Sequence, residues 1–506
     1  MDCRQGGHRS RRVAPRRLAL IFSILPICVR CNVYTYTDIS LHPDVISYRR
    51  VGMWAPNEAP SSRSKRRDDA SSSVEFDLKF RRTNPMKAGL VQVLVFNAEQ
   101  LSRVGATVHG RRQYCCTASL AALGTVRGCA AAGQLIVEPE PPVPTDHTAA
   151  PQNALHHHHH HQINAHNVLF AANQSEASIS QRVLVRQSGV HYLLLSSCDL
   201  RTGDVQFSGQ TTWRNPHGYL PAELYPFLPF FGLLTAAYVL LCLFWALSCL
   251  RHWSALLPLQ SAIAVVLLLS VVESATWFAS YRAFNDGGTR GLVPTVLGVL
   301  ISTVRKTVAR LLVLTVCLGY GVVRPTLGST FHRIVLLGGF YFLTALSLDV
   351  AANVTSLEEL ALPTRLLFVL PVSLMDALYF WWCASALSRT LSQLSSRRQS
   401  AKLLLYRRFS HVLFGTLFVS ALCVVWQMAF IVSDNLDTSW HLLWTFDAFW
   451  HVLHACVLLT ICVLWSPSRN NQQYAYMDEL GQEAPDEDGD GDGDGDSISG
   501  DEKSKK

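Results

Sequence analysis

The sequence predicts an α+β membrane protein, a lumenal β-sandwich followed by a seven-helix transmembrane bundle. Three observations carry this reading. Residues 227–465 hold seven apolar stretches of bilayer-spanning length. The region before them holds runs that alternate apolar and polar with period two. An Arg-rich start followed by a short apolar core reads as a secretory signal peptide. The 506 residues are 49% apolar with a formal net charge of +7, but both averages hide a division. Residues 1–220 are polar and Arg-rich, 227–465 are apolar, and the tail is acidic. The basic residues lie in the N-terminus, around Lys65 and at the membrane flanks. They are not gathered on one module, so no nucleic-acid partner is expected.

Arg4, Arg9, Arg11, Arg12, Arg16 and Arg17 form the positive start, and Leu18 to Val29, broken by Pro26, forms the apolar core. About a dozen apolar residues fall short of the roughly 20 needed to span a bilayer. Cleavage is expected near Cys31. The chain then divides into a signal peptide (1–31), a lumenal domain (32–220), a membrane bundle (221–466) and a disordered acidic cytosolic tail (467–506).

Within the lumenal domain, Val74 to Phe80, Leu90 to Phe96, Val190 to Leu195 and Val205 to Trp213 read as half-buried strands. Low-complexity inserts separate them. Residues 137–151 are rich in Pro and Glu and should be extended or disordered. His156 to His161 is a run of histidines, which reads as a repeat insert in a loop or as a metal binder without fixed geometry. A lumenal address predicts disulfides among Cys115, Cys116, Cys129 and Cys198, with connectivity open. A bridge between adjacent cysteines is strained, so Cys115 and Cys116 should take different partners. Asn173-Gln174-Ser175 is a glycosylation acceptor sequon. Arg63-Ser64-Lys65-Arg66 reads as a solvated basic loop or a convertase site.

The seven spans fall at about 227–250, 258–281, 292–321, 334–352, 365–388, 410–432 and 442–465. With the first entering from the lumen, the C-terminus is cytosolic. Arg251, Arg324, Arg333, Arg389, Arg397, Arg398, Lys402, Arg407, Arg408 and Arg469 then flank the cytosolic side, and only Arg282, Arg290 and Arg365 the lumenal side. That imbalance agrees with the positive-inside rule. A second sequon, Asn353-Val354-Thr355, falls on the lumenal side, close to the membrane.

Ionisable groups inside spans are costly and point to function or internal pairing. They are Glu273 in span two, Arg305, Lys306 and Arg310 in span three, Asp376 in span five, and Asp447, His451 and His454 in span seven. The last three share a helical face that can line a polar cavity or relay protons. The pairings expected are Glu273 or Asp376 with the span-three cations, and Asp447 with a histidine. Span three is read as one long helix despite its cations, because a break would leave two segments too short to cross. An anionic lipid headgroup is a second partner for Lys306 and Arg310.

Four strings resemble one family. They are Trp213 to Phe231 (entering span one), Val304 to Val313, Leu318 to Gly328, and Trp465 to Tyr476. They are similar to the seven-helix Golgi proteins of the GOLD-domain type, and within these to the transmembrane protein 87 family. The resemblance covers the membrane block in order and is weak in the lumenal domain. It implies a GOLD-like sandwich on a bundle related to Wntless, residence in Golgi membranes, and a link to endosome-to-Golgi retrograde transport. It also implies a bundle cavity open to lipid and lumen, with Glu273, Arg305, Lys306, Arg310, Asp376 and Asp447 around it. Some relatives are proposed cation channels or mechanosensitive elements. One departure stands out: the loop Ser433 to His441 has no cysteine, whereas relatives tether the lumenal domain to it by a disulfide.

The tail holds Tyr474-Ala475-Tyr476-Met477, which has the form of a clathrin-adaptor sorting signal. The Asp-Gly repeat from Asp486 to Asp496 reads as disorder, because no Glu completes a calcium loop. Three functions follow as expectations. The first is a Golgi trafficking protein whose cavity takes a membrane lipid or cargo. The second is a pH- or voltage-modulated cation channel, which would need a continuous water path. The third, a G-protein-coupled receptor, ranks last, because Tyr320 to Pro325 lacks an Asp/Glu-Arg-Tyr motif and span seven lacks Asn-Pro-x-x-Tyr. No enzyme, cofactor or metal is expected, since no nucleophile–base pair or ligand set has useful spacing.

Overall fold

Among the described residues the N-terminal domain holds ten strands and one short α-helix, besides a 3-10 helix at Ala98–Arg103. In chain order they are β1 (Val33–Leu41), β2 (Ile46–Met53), β3 (Ser73–Arg82), β4 (Gly89–Asn97), β5 (Ala106–Val108), β6 (Arg111–Gln113), α1 (Ala118–Leu123), β7 (Asn164–Phe170), β8 (Glu176–Leu184), β9 (Gly189–Ser196) and β10 (Val205–Arg214). The structure is a computed structural model that describes residues 32–41, 46–56, 71–83, 87–108, 111–139, 163–253, 256–320, 323, 328–354, 362–397, 400–432 and 439–467. The signal peptide with Cys31, the basic site at 63–66, the run His156 to His161, Tyr474, Met477 and the Asp-Gly repeat lie outside the described residues.

Two antiparallel four-stranded sheets, ordered β1-β10-β3-β8 and β2-β9-β4-β7, face each other as a sandwich. β3 shows why: Val74, Phe76, Leu78 and Phe80 are buried while Glu75, Asp77, Lys79 and Arg81 are exposed. The buried set meets Val91, Val93, Val95, Leu193 and Leu195 of the facing sheet. The four strands legible in the sequence are the four central ones, β3, β4, β9 and β10. The four that were not, β1, β2, β7 and β8, are the sheet edges. Edge strands carry polar residues that deter pairing with other chains, and this blurs their alternation. β8 is exposed along its whole outer face, and on its inner face only Val183 is fully buried.

β4 is buried on both faces, because the segment after it covers its outer side. Leu94, Phe96 and Leu194 pack there against Val104 and Leu135. Two disulfides pin this cover, Cys115–Cys198 across 83 residues and Cys116–Cys129 across 13. The adjacent cysteines do take different partners.

Seven long helices follow: α2 (Phe227–Arg251), α3 (Pro258–Gly287), α4 (Leu292–Cys317), α5 (Thr330–Val354), α6 (Leu362–Ser396), α7 (Ser400–Val432) and α8 (Leu443–Leu464). Among the described residues, six of these are long and apolar enough to cross a membrane; α4, with its three cations, is not among them. α4 is one unbroken helix of 26 residues, about 39 Å, and it ends at Cys317, short of the expected 321.

The sandwich is seated on the bundle. Gly288, at φ 73°, closes α3 in the left-handed conformation, and its carbonyl accepts the Asn32 and Val33 N–H groups at 3.0 and 3.1 Å. Asn285 of α3 donates to the His217 carbonyl at 2.8 Å. Trp54 of the sandwich packs edge-on against Trp440 ahead of α8, centroids 4.9 Å apart. With Val190 and Ala222 the pair forms a small apolar core. Among the described residues this contact joins the two parts where relatives were expected to place a disulfide.

Candidate functional site

α4 is the hub of the bundle. Successive helix residues point about 100° apart, so neighbouring cations on α4 face different partners. The Arg305 guanidinium pairs with Glu273 of α3, and both side chains are under 5% exposed. Lys306 Nζ lies 3.0 Å from Asp349 of α5, which also accepts from Thr303 Oγ1 at 3.0 Å. Arg310 Nη2 lies 2.9 Å from Asp376 of α6, and its guanidinium sits 4.4 Å over the Tyr341 ring. Each cation is thus matched by one carboxylate from one neighbouring helix. This pairing is how α4 crosses an apolar layer with three charges. The pairs are not equally dry: Lys306 is 36% and Asp349 20% exposed, against 4% and 3% for Arg305 and Glu273.

These groups face a cavity of about 760 Å³ in the middle of the bundle. α7 packs on α6 and α8 rather than on α4, which leaves space beside the cationic face. Asp447, His451 and His454 of α8 all line the cavity, as their shared face predicted. His451 lies against the Phe231 and Phe230 rings at 5.1 and 6.2 Å. The lining includes the cations Arg290, Arg305, Lys306 and Arg310 and the carboxylates Glu273, Asp349 and Asp447. Asp376, paired to Arg310, brings the tally to four against four. The site is polar but balanced, a character suited to a headgroup or other polar ligand carrying both signs.

Sequence reasoning missed two members. Asp349 was visible as an acid inside span four. Arg290 was assigned to a connecting loop; it is buried, stacked 5.5 Å over Trp277, and lines the cavity. Asn353 also faces the cavity, and its amide donates to the Asp349 carbonyl at 3.0 Å inside α5. Such a bonded, helical amide is poorly placed as a glycan acceptor, in contrast to the expectation from its sequon.

The end of the bundle away from the sandwich is closed. Past Leu312, Leu458 and Ile461, the buried residues Trp245, Leu259, Leu394, Tyr406, Phe409 and Trp465 form one packed apolar layer. Phe409 and Tyr406 stand edge-on to Trp465 at 5.2 and 6.1 Å. Gln260 Nε2 donates to the Trp465 carbonyl at 3.2 Å. At the sandwich end, burial pushes His217 and His191 down to about 4, so both are neutral near pH 7.

Comparison with known proteins adds an independent line. Residues 226–472 match the family model described as the GOST seven-transmembrane domain. The chain is 34% identical to transmembrane protein 87A of Xenopus tropicalis over 263 residues, 52% of this chain and 48% of that one. It is 32% identical to transmembrane protein 87B of Mus musculus over 308 residues, 60% and 55% of the two chains. Membrane protein PTM1 of Saccharomyces cerevisiae matches at 25% over 324 residues, 62% and 61%. The chain thus spans about half the length of the first two relatives. Residues 226–472 thus carry a GOST seven-transmembrane domain behind an N-terminal β-sandwich, and over this region the chain is similar to the transmembrane protein 87 proteins.

Proposed function

We propose that this protein acts in Golgi membranes in vesicular trafficking, in endosome-to-Golgi retrograde transport, with the bundle cavity as its binding site for a lipid or cargo. The observation that carries the binding role is the cavity of about 760 Å³, polar at its centre and closed at one end by the Trp465 layer. A closed end suits retention of a ligand, whereas conduction needs a continuous water path. The balanced pairs favour a molecule with a polar head and an apolar body, since apolar side chains from all seven helices complete the lining. The Tyr474-x-x-Met477 form supports adaptor-driven sorting.

A channel is the second reading, supported by the Asp447, His451 and His454 face on the cavity. Current across planar bilayers holding the purified full chain separates the two, with Asp447→Asn and Lys306→Met alongside. Folded but electrically silent protein, carrying lipid detectable by mass spectrometry that Lys306→Met depletes, is the expected result. A selective current altered by both substitutions would replace the binding reading with the channel.

A further inference from the structure

The sequon at 173–175 finds its place in the turn between β7 and β8, where the chain crosses from one sheet to the other. Residues 171–175 are all exposed, and Asn173 has φ 68°, the left-handed conformation that asparagine tolerates in tight turns. Among the described residues its carboxamide makes no hydrogen bond. A buried arginine holds the turn open to solvent from beneath. Arg82 is 2% exposed; its Nε donates to the Gln174 carbonyl at 2.7 Å and its Nη2 to the Ala171 carbonyl at 2.8 Å. The same guanidinium lies 5.0 Å over the Phe170 ring. Gln174 closes the turn itself, accepting from Ala171 N at 3.0 Å and donating to the Glu176 carbonyl at 2.7 Å.

The turn also points the right way. Phe170 pairs with Gly89 and Glu176 with Arg81, whereas the bundle-facing ends of the same sheets are Met53 with Gly189 and Ser73 with Arg214. The β7–β8 turn is therefore at the end away from the membrane, separated from it by strands of eight to ten residues, roughly 26–33 Å. The compartment is indicated by the two disulfides of the same domain, which form and persist under oxidising conditions.

We infer that Asn173 carries an N-linked glycan on the membrane-distal tip of the sandwich, and that Asn353 carries none. The donor is a polyprenyl-diphosphate-linked oligosaccharide. Asn173 Nδ2 forms the bond to the sugar C1, the C1–oxygen bond to the diphosphate breaks with its electron pair leaving on the diphosphate lipid, and one amide proton passes to the transferase. At Asn353 the equivalent nitrogen is engaged with Asp349 and faces the cavity.

The test is glycosidase digestion of the full chain made in a eukaryotic secretory host. Peptide:N-glycosidase should lower the apparent mass in one step and leave residue 173 as aspartate in peptide mass spectrometry. Asn173→Gln and Ser175→Ala should each abolish the step, and Asn353→Gln should leave it in place. Mapping Cys115–Cys198 without reduction confirms that each variant folds in the oxidising compartment. A wild-type chain with its disulfides formed but no digestible glycan would overturn the inference. So would a step that survives Asn173→Gln or disappears with Asn353→Gln.

Discussion

Replacing Glu273 by Gln tests the role of the α4 hub most directly. The substitution keeps the size and shape of the side chain and removes its charge. Arg305 stays 4% exposed with no carboxylate opposite. Breaking a buried ion pair by removing one partner costs about 3–5 kcal/mol, because the remaining charge is desolvated without compensation. The Lys306–Asp349 pair serves as an internal control. It is 36% and 20% exposed, so its charges are less completely desolvated, and Lys306→Met should cost less than Glu273→Gln. The assay is equilibrium unfolding in detergent, followed by tryptophan fluorescence. A double-mutant cycle of Glu273→Gln with Arg305→Met isolates the pair. The double variant should recover about 2 kcal/mol relative to the sum of the singles, since no orphan charge remains. The reasoning fails if Glu273→Gln costs no more than Lys306→Met, or if the two substitutions simply add.

Acid should weaken the sandwich through His191. Its folded pKa, about 4, lies below the ordinary 6.5, so the unfolded chain binds the proton more readily. Stability is complete above pH 6.5 and falls by about 1.4 kcal/mol per unit as pH drops toward 4, with His217 adding in the same direction. Unfolding followed across this window should show the combined slope of both histidines, and His191→Gln should roughly halve it; a wild-type chain equally stable at both ends contradicts the assignment. Trp440→Ala should loosen the seat of the sandwich, raising hydrogen exchange at 52–54 and 220–224 while leaving the β3 core protected. Unchanged exchange there would show that the hydrogen bonds around Gly288 suffice without the aromatic contact. Cys198→Ser should cost about 2–5 kcal/mol by freeing the cover over β4, visible as a lower melting temperature of the full chain.

Local pattern alone determined much of this protein. An apolar stretch long enough to cross a bilayer is a property of consecutive residues, and so is the alternation of a central strand. Hence the seven helices and the strands β3, β4, β9 and β10 were legible, including α4 as a single helix despite its cations. The same holds for the shared face of Asp447, His451 and His454, which the helical period sets, and for the separate partners of Cys115 and Cys116.

What remained depends on which elements become neighbours. The edge strands have polar sequences because one side has no partner strand, and that fact exists only once the sheets are assembled. Glu273, Asp349 and Asp376 lie on three different helices, and only the packing of α4 against α3, α5 and α6 decides which cation each one meets. Arg290 looked like a loop residue until the Trp277 ring stood beneath it. Asn353 and Asn173 both begin acceptor sequons. One is turned into a cavity with its amide already bonded, and the other is presented to solvent by an arginine ninety-one residues earlier in the chain. That difference lies in the tertiary surroundings, because a sequon records only three residues and accessibility depends on everything packed around them.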